Sequence, residues 1–429
     1  MLQTIVGATA NTETQIRDKM DHWPDYPLPQ GLHAIPPALL DTRSDAEVDH
    51  GLLHPEPVSD DKNVWFFWHS GYATMHGYTK HSVRAWHRRL SKRGWVVRVL
   101  DRVPGSASNV ANFLDVADPH TFPRVFMEGT LSGRYAVQHV SDLVRFPLLL
   151  RYGGVYADVG LMQIGDLDRL WRETIGNPES PYEVLSYNMG GVEERRLANY
   201  FLVARRNNPM FERSHRLLLA LWDAGGGKTS TEGMHSSPLL KGAPLMTSTL
   251  SYTEDGRTVG PEELGRLLSD YIIQGQAITL VLGLVDEEGG WDGPKYVADH
   301  VYALDYMVGS QLINEFTDWD GKRAFDLMSL PLPKLGEIES LEQKQARKIV
   351  EACLQRSFGF KLAHGLIIKV MGCTLGSLWR ENDGSDNVFG TYAHWLRHGT
   401  IYWTQDELPP RLEFRVIKPF KSGPLLREL

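Results

Sequence analysis

Two apolar runs on either side of an amphipathic segment constrain this chain more than any other feature. Residues 63–68 (NVWFFW) are short, aromatic and bounded by charged residues before and by His69, Ser70 and Gly71 after, the pattern of a buried strand ending in a turn. Val83, Trp86 and Leu90 then recur at helical spacing among Arg84, Arg88, Arg89 and Lys92, which the pattern leaves exposed, and Gly94 stands where a left-handed C-terminal cap belongs. Residues 95–100 (WVVRVL) make a second strand. Strand, helix and strand in this order form a βαβ unit, which requires a parallel sheet, and ligands of such sheets bind beyond the carboxyl ends of the strands. The segment Trp68, His69, Ser70 and Gly71 occupies one such end.

The periodicity predicts a second helix over 134–151, with Val137, Val140, Val144 and Leu148 as its buried stripe, Pro147 inside it and Gly153-Gly154 ending it. In the following VYADVG, Val155, Ala157 and Val159 face one way and Tyr156, Asp158 and Gly160 the other. Strands are expected at 183–187 and 200–204, a helix at 208–222, a loop-rich stretch over 225–260, and mostly helix over 261–272 and 337–380. Residues 1–61, rich in Pro, His and Asp without sustained periodicity, read as an extended arm held against the body by Trp23, Tyr26, Leu28 and Leu32.

Within 141–160 (SDLVRFPLLLRYGGVYADVG), Asp142 and Arg145 lie three apart on one helix face, opposite the apolar stripe, and Asp158 arrives near a strand end, where a carboxylate is rarely placed for packing. The residues alone leave two readings open: three ionisable groups converging on a cleft, or a surface ion pair beside a turn carboxylate.

This segment resembles the signature of DXD-containing sugar transferases of the capsular-polysaccharide-synthesis and initiating α-mannosyltransferase type, related to the glucosyltransferase domains of large clostridial toxins. Ser141, Asp142, Arg145, Tyr152, Gly153, Gly154, Tyr156 and Asp158 match its helix, turn and strand in order and spacing, and the likeness spans about residues 62–222. It implies an α/β chain of the GT-A type, with a nucleotide-sugar-binding domain, a central mostly parallel sheet and helical additions. The arm would cover 1–61 and this domain 62–429, divided into a donor-binding core (62–222) and a loop-rich, helical acceptor and closing region (223–429). Trp68, His69, Ser70, Gly71 and Tyr156 would line the donor site, Asp142 and Arg145 would hold the donor sugar, and Asp158 would contact ribose, sugar or metal. Carboxylates orient sugar hydroxyls by charge-assisted hydrogen bonds, and a guanidinium bridges hydroxyl and phosphate oxygens as charge develops on the leaving diphosphate.

The resemblance also implies a divalent cation, Mn²⁺ or Mg²⁺, at the diphosphate. One departure bears on it: Gly160 stands where the second carboxylate of the motif belongs. Oxygen ligands are then sought at Asp158 together with Asp386 and Asn387 from a C-terminal loop. Asp166 and Asp168 read as residues of a helix start. Trp65, Trp86 and Trp95 fall in core periodicity, leaving Trp379, Trp395 and Trp403 as candidates to stack on an acceptor. His235 and His300 carry no special pattern, and Gly225 to Lys228 (GGGK) lacks the strand and spacing of a phosphate loop.

The remaining composition narrows the partners. Over 429 residues, 45 Lys and Arg against 53 Asp and Glu give a net charge of −8 without single-sign blocks, which disfavours nucleic acid and anionic membranes. Cys353 and Cys373 read as reduced, largely buried thiols. The absence of a long apolar span, a leader or an Asn-X-Ser/Thr acceptor favours a cytoplasmic protein without a transmembrane segment. The expected activity is transfer of a hexose from a nucleotide sugar, with UDP as the nucleotide, to a hydroxyl of a small molecule or lipid-linked sugar, as in natural-product glycosylation. Retention would give an α-glycoside. Two other readings stay open: a nucleotide-sugar-binding protein with a degenerate motif, and a nucleotide-sugar hydrolase.

Overall fold

A computed structural model describes residues 26–415 and 418–428; Trp23 of the arm lies outside the described residues. Residues read as an extended arm contain a helix, α1 (Asp45–Leu53), begun by Ser44 and Glu47 in a reciprocal capping box. Its weak amphipathicity hid it from the periodicity, yet Val48 and Leu52 are fully buried. Tyr26 and Leu32 are also buried, whereas Leu28 is exposed, and Leu32–Ala34 pairs antiparallel with Trp403–Gln405.

The expected βαβ unit follows: β1 (Asn63–Phe67), α2 (Gly77–Leu90) and β2 (Val96–Leu100), with Asn63 beside Val96 and Phe67 beside Leu100 in parallel register. Gly94 is left-handed as expected, at φ 84°, closing a short turn after α2. Arg89, expected on the exposed face of α2, is instead buried and donates to the carbonyls of Ile164 and Gly165, just past β4, which satisfies its buried guanidinium.

Helix α3 (Ala136–Tyr152) leads through Gly153 and Gly154 into β3 (Gly154–Ala157). Both glycines have positive φ, and a Cβ on Gly154 would lie 2.4 Å from the Asn63 carbonyl oxygen of β1, so the turn needs glycine. The chain continues with β4 (Leu161–Gln163), β5 (Val184–Asn188), β6 (Phe201–Ala204), α4 (Pro209–Asp223), α5 (Ile273–Leu282), β7 (Val301–Asp305), α6 (Leu341–Arg356), β8 (Gly359–Lys361) and α7 (Tyr392–Tyr402).

The central sheet has the order β7-β5-β6-β3-β1-β2. Only β6 runs against the others. Five strands therefore share one carboxyl edge, and β6 starts from that edge. Alternation divides the core, on β3 as read from the sequence and on β1 likewise: Trp65, Phe67 and Tyr156 pack under α3, α4 and α5, while Val64, Phe66, Val155 and Ala157 pack under α1 and α2. A third cluster joins α6, α7, Met162 and Phe360. Here β8 pairs antiparallel with β4, a strand inside the region expected to be mostly helical. Cys353 is buried and Cys373 half-buried, both as free thiols.

Candidate active site

Asp142, Arg145 and Asp158 meet at the carboxyl edge of β3. Asp158 follows the last residue of that strand, and its backbone N–H donates to the Tyr200 carbonyl at the start of β6. Arg145 donates from Nη2 to Asp158 Oδ1 at 2.9 Å, and its Nη1 forms an ion pair with Asp142 Oδ1 at 2.9 Å, so one guanidinium spans both carboxylates. The helix face carrying them is buried: Asp142 and Arg145 are nearly enclosed, while Val137, expected in the buried stripe, is half exposed. Helix α3 is covered on both sides, by the sheet and by α4 and α5, so its polar face looks into protein instead of water.

The structure also brings in residues that the sequence did not single out. Gln274 of α5 donates from Nε2 to the Asp142 carbonyl at 2.6 Å, and its Oε1 accepts from Arg145 Nη1 at 3.2 Å. Asn199 lends its carbonyl to Arg145 Nη1 at 2.8 Å. His139 Nδ1 lies 3.2 Å from Asp142 Oδ2. Two residues that the sequence did single out join them: Tyr156 stacks under the guanidinium at 4.8 Å and shares a hydrogen bond with Ser141. Lys361, at the end of β8, places Nζ 2.9 Å from Asp158 Oδ2.

These contacts set the charges. Burial raises the Asp158 carboxyl, but the cations of Lys361 and Arg145 outweigh it and hold it below the ordinary carboxylate value. Burial lowers the Arg145 guanidinium, yet the Asp142 and Asp158 carboxylates carry it above its usual range. Burial pushes the Tyr156 hydroxyl up to about 12. The site therefore presents fixed charges, and Asp158 keeps a quarter of its side chain open to solvent.

Trp68, His69, Ser70 and Gly71 follow β1 at the same sheet edge, one strand over. His69 and Ser70 are exposed, and Ser70 shares a hydrogen bond with Thr74, to which Trp68 Nε1 also donates. Gly71 has φ 85°, and a Cβ there would come within 3.3 Å of Asp101 Oδ2.

Other expectations fall elsewhere. Trp379 and Trp395 are enclosed in the third core cluster and Trp403 is nearly so. Their rings are occupied by protein and offer no face to an acceptor, which corrects that assignment. Asp386 is buried under α7, where Arg397 Nη2 and His81 Nδ1 take its Oδ2 at 2.7 and 2.8 Å. It is an internal ion-pair residue, and the adjacent Asn387 is exposed. Neither is brought into contact with Asp158. Asp166 caps a short helix and pairs with Arg93, and Asp168 binds Lys62 and Trp95, both structural as read.

The donor set around Asp158 does not suit a hard divalent cation. Both carboxylate oxygens already accept from cations, and a Cβ at Gly160 would lie 3.0 Å from His364 Nε2, which fills the space of a second carboxylate. Among the described residues, no group of three or more His, Cys, Asp or Glu side chains is arranged to hold a metal.

A carboxylate and guanidinium cluster at the carboxyl edge of a mostly parallel α/β sheet stands where ligands of such sheets bind. Comparison with known proteins agrees. Residues 40–225 match the family of capsular polysaccharide synthesis proteins. The chain is 33% identical over 404 residues to the O-glycosyltransferase braB of Annulohypoxylon truncatum, covering 92% of this chain and 91% of that protein. It is 34% identical over 376 residues to the glycosyltransferase afumC of Aspergillus fumigatus, covering 86% and 93%. It is 32% identical over 386 residues to the O-glycosyltransferase PaGT of Phomopsis amygdali, covering 88% and 91%. Among solved structures, the PaToxG glycosyltransferase aligns over 72% of this chain and 91% of its own, at 13% identity and a TM-score of 0.26. The chain belongs to this family of glycosyltransferases and acts between a sugar donor and an acceptor. No helix among the described residues is long and apolar enough to cross a membrane.

Proposed function

We propose that this glycosyltransferase moves a hexose from a nucleoside-diphosphate sugar, with UDP as the nucleotide, to a hydroxyl group, with retention. The observation that carries the reading is the single guanidinium of Arg145 held between Asp142 and Asp158 at the sheet edge. Two carboxylates present acceptors for sugar hydroxyls, and the guanidinium between them stabilises the negative charge that develops as the donor's phosphate departs. No separate base is required when the departing phosphate takes the acceptor proton, so most of the acceleration is positioning and electrostatics. Two relatives are named O-glycosyltransferases, which supports a hydroxyl acceptor. A small natural product or a lipid-linked sugar, met in the cytoplasm, is the acceptor class we favour.

The test is turnover of UDP-glucose, UDP-N-acetylglucosamine and GDP-mannose with a panel of small phenols and alcohols, followed by proton NMR of the product. An acceptor-dependent α-glycoside supports the proposal. A β-linked product overturns retention, and free sugar released at a rate indifferent to acceptor identifies a hydrolase.

A further inference from the structure

Lys361 enters the site from a part of the chain far from the helix–turn–strand segment. It ends β8, whose pairing with β4 sets Lys361 opposite Leu161. Its ammonium lies 2.9 Å from Asp158 Oδ2 and 5.5 Å over the Tyr200 ring, with the side chain only 12% exposed. A lysine buried to this degree is costly unless its charge is used, and Asp158 already has Arg145 on its other oxygen. Two carboxylates, Asp142 and Asp158, are thus balanced by two cations, Arg145 and Lys361. A doubly charged ion on Asp158 would have to displace Arg145 or Lys361 from the oxygen each one holds. Directly beside them, the imidazole of His364 takes up the space next to Gly160.

We propose that Lys361 does the work of a divalent cation, so that donor binding and transfer proceed without metal. The inference rests on the glycosyltransferase reading of the Asp142, Arg145 and Asp158 cluster. The flexible four-carbon stem lets the ammonium turn from Asp158 to the donor's diphosphate while β8 fixes its base. In transfer, the bond from sugar C1 to the phosphate oxygen breaks and its electron pair stays on the phosphate. The bond from C1 to the acceptor oxygen forms, and the acceptor's proton passes to the departing phosphate. Lys361 and Arg145 keep their protons and offset the charge gained by the leaving group.

The test is calorimetric titration of the full chain with UDP-glucose, UDP-N-acetylglucosamine, GDP-mannose and the bare nucleosides uridine and guanosine, each in EDTA and in Mn²⁺. Lys361→Met and Lys361→Arg are titrated in parallel, with melting curves to establish folding. The proposal expects the bound donor's affinity to agree within about twofold between EDTA and Mn²⁺, to fall about tenfold or more in Lys361→Met, and to recover in Lys361→Arg, with nucleoside binding unmoved. Donor binding that requires Mn²⁺ overturns the metal-free inference and leaves the transferase reading standing. Metal-free binding unchanged in folded Lys361→Met overturns the role of Lys361. No binding of any donor to the wild-type chain, with or without metal, overturns both.

Discussion

Gly160 shows how one residue sets the chemistry open to its neighbours. A β-carbon there meets His364 Nε2 at 3.0 Å and the Leu362 carbonyl oxygen at 3.2 Å, a fit tighter than side chains ordinarily make. Gly160→Asp is therefore expected to cost about 1–3 kcal/mol of stability by crowding, and to bring no response to Mn²⁺ while His364 stays in place. Urea unfolding and a Mn²⁺ titration of the variant check both. Full stability together with tight Mn²⁺ binding would show that the site accepts the second carboxylate. Asp142, Arg145 and Asp158 were legible because one helix, one turn and one strand carry all three: their spacing left a cleft or a surface ion pair open, and the family resemblance pointed to the site. Asn199, Gln274, Lys361 and His364 come from distant segments and meet the trio only through the tertiary fold. Nothing in local periodicity reports that meeting.

At the scale of elements, long periodic segments declared themselves and short ones did not. Helices α2, α3 and α4 and strands β1 and β2 repeat their apolar residues over enough positions to be read. Strand β8 is three residues (Gly359–Lys361) within a region of helical character, too short for a period-2 signal, and it delivers Lys361. Helix α1 carries only two buried residues. The aromatic content of the last helices misled in the other direction, because Trp395 on α7 is 1% exposed and stacks on Tyr26 with centroids 6.4 Å apart. Trp395→Ala is expected to destabilise the chain by about 3–5 kcal/mol and to leave donor affinity unchanged in the folded fraction. Chemical denaturation and calorimetry separate the two effects. A stable variant with a raised acceptor KM would return Trp395 to the acceptor site.

The whole molecule is a sheet with helices on both faces, whose carboxyl edge collects groups from β1, β3, β6 and β8. Its interior also fixes an acid response. Burial is the main cause that lowers His215 and His398 to about 4 and His364 to about 3, against an ordinary value of 6.5. As pH falls below 6.5, the unfolded chain takes up these protons and the folded chain does not. The stability linked to these groups is therefore complete above 6.5 and drains away towards the folded values. Melting temperature should fall progressively from pH 6.5 to 4, and His215→Phe should flatten that slope; a wild-type melting temperature constant over the range would contradict this. The role of Asp158 in donor binding is tested by titration of wild type and Asp158→Asn with UDP-glucose, UDP-N-acetylglucosamine and GDP-mannose. One donor is expected to bind the wild-type chain and to bind folded Asp158→Asn about tenfold or more weakly, because the carboxylate touches the sugar nucleotide. Equal affinity of that donor for both proteins would contradict it and make the Asp158 cluster a structural ion-pair network.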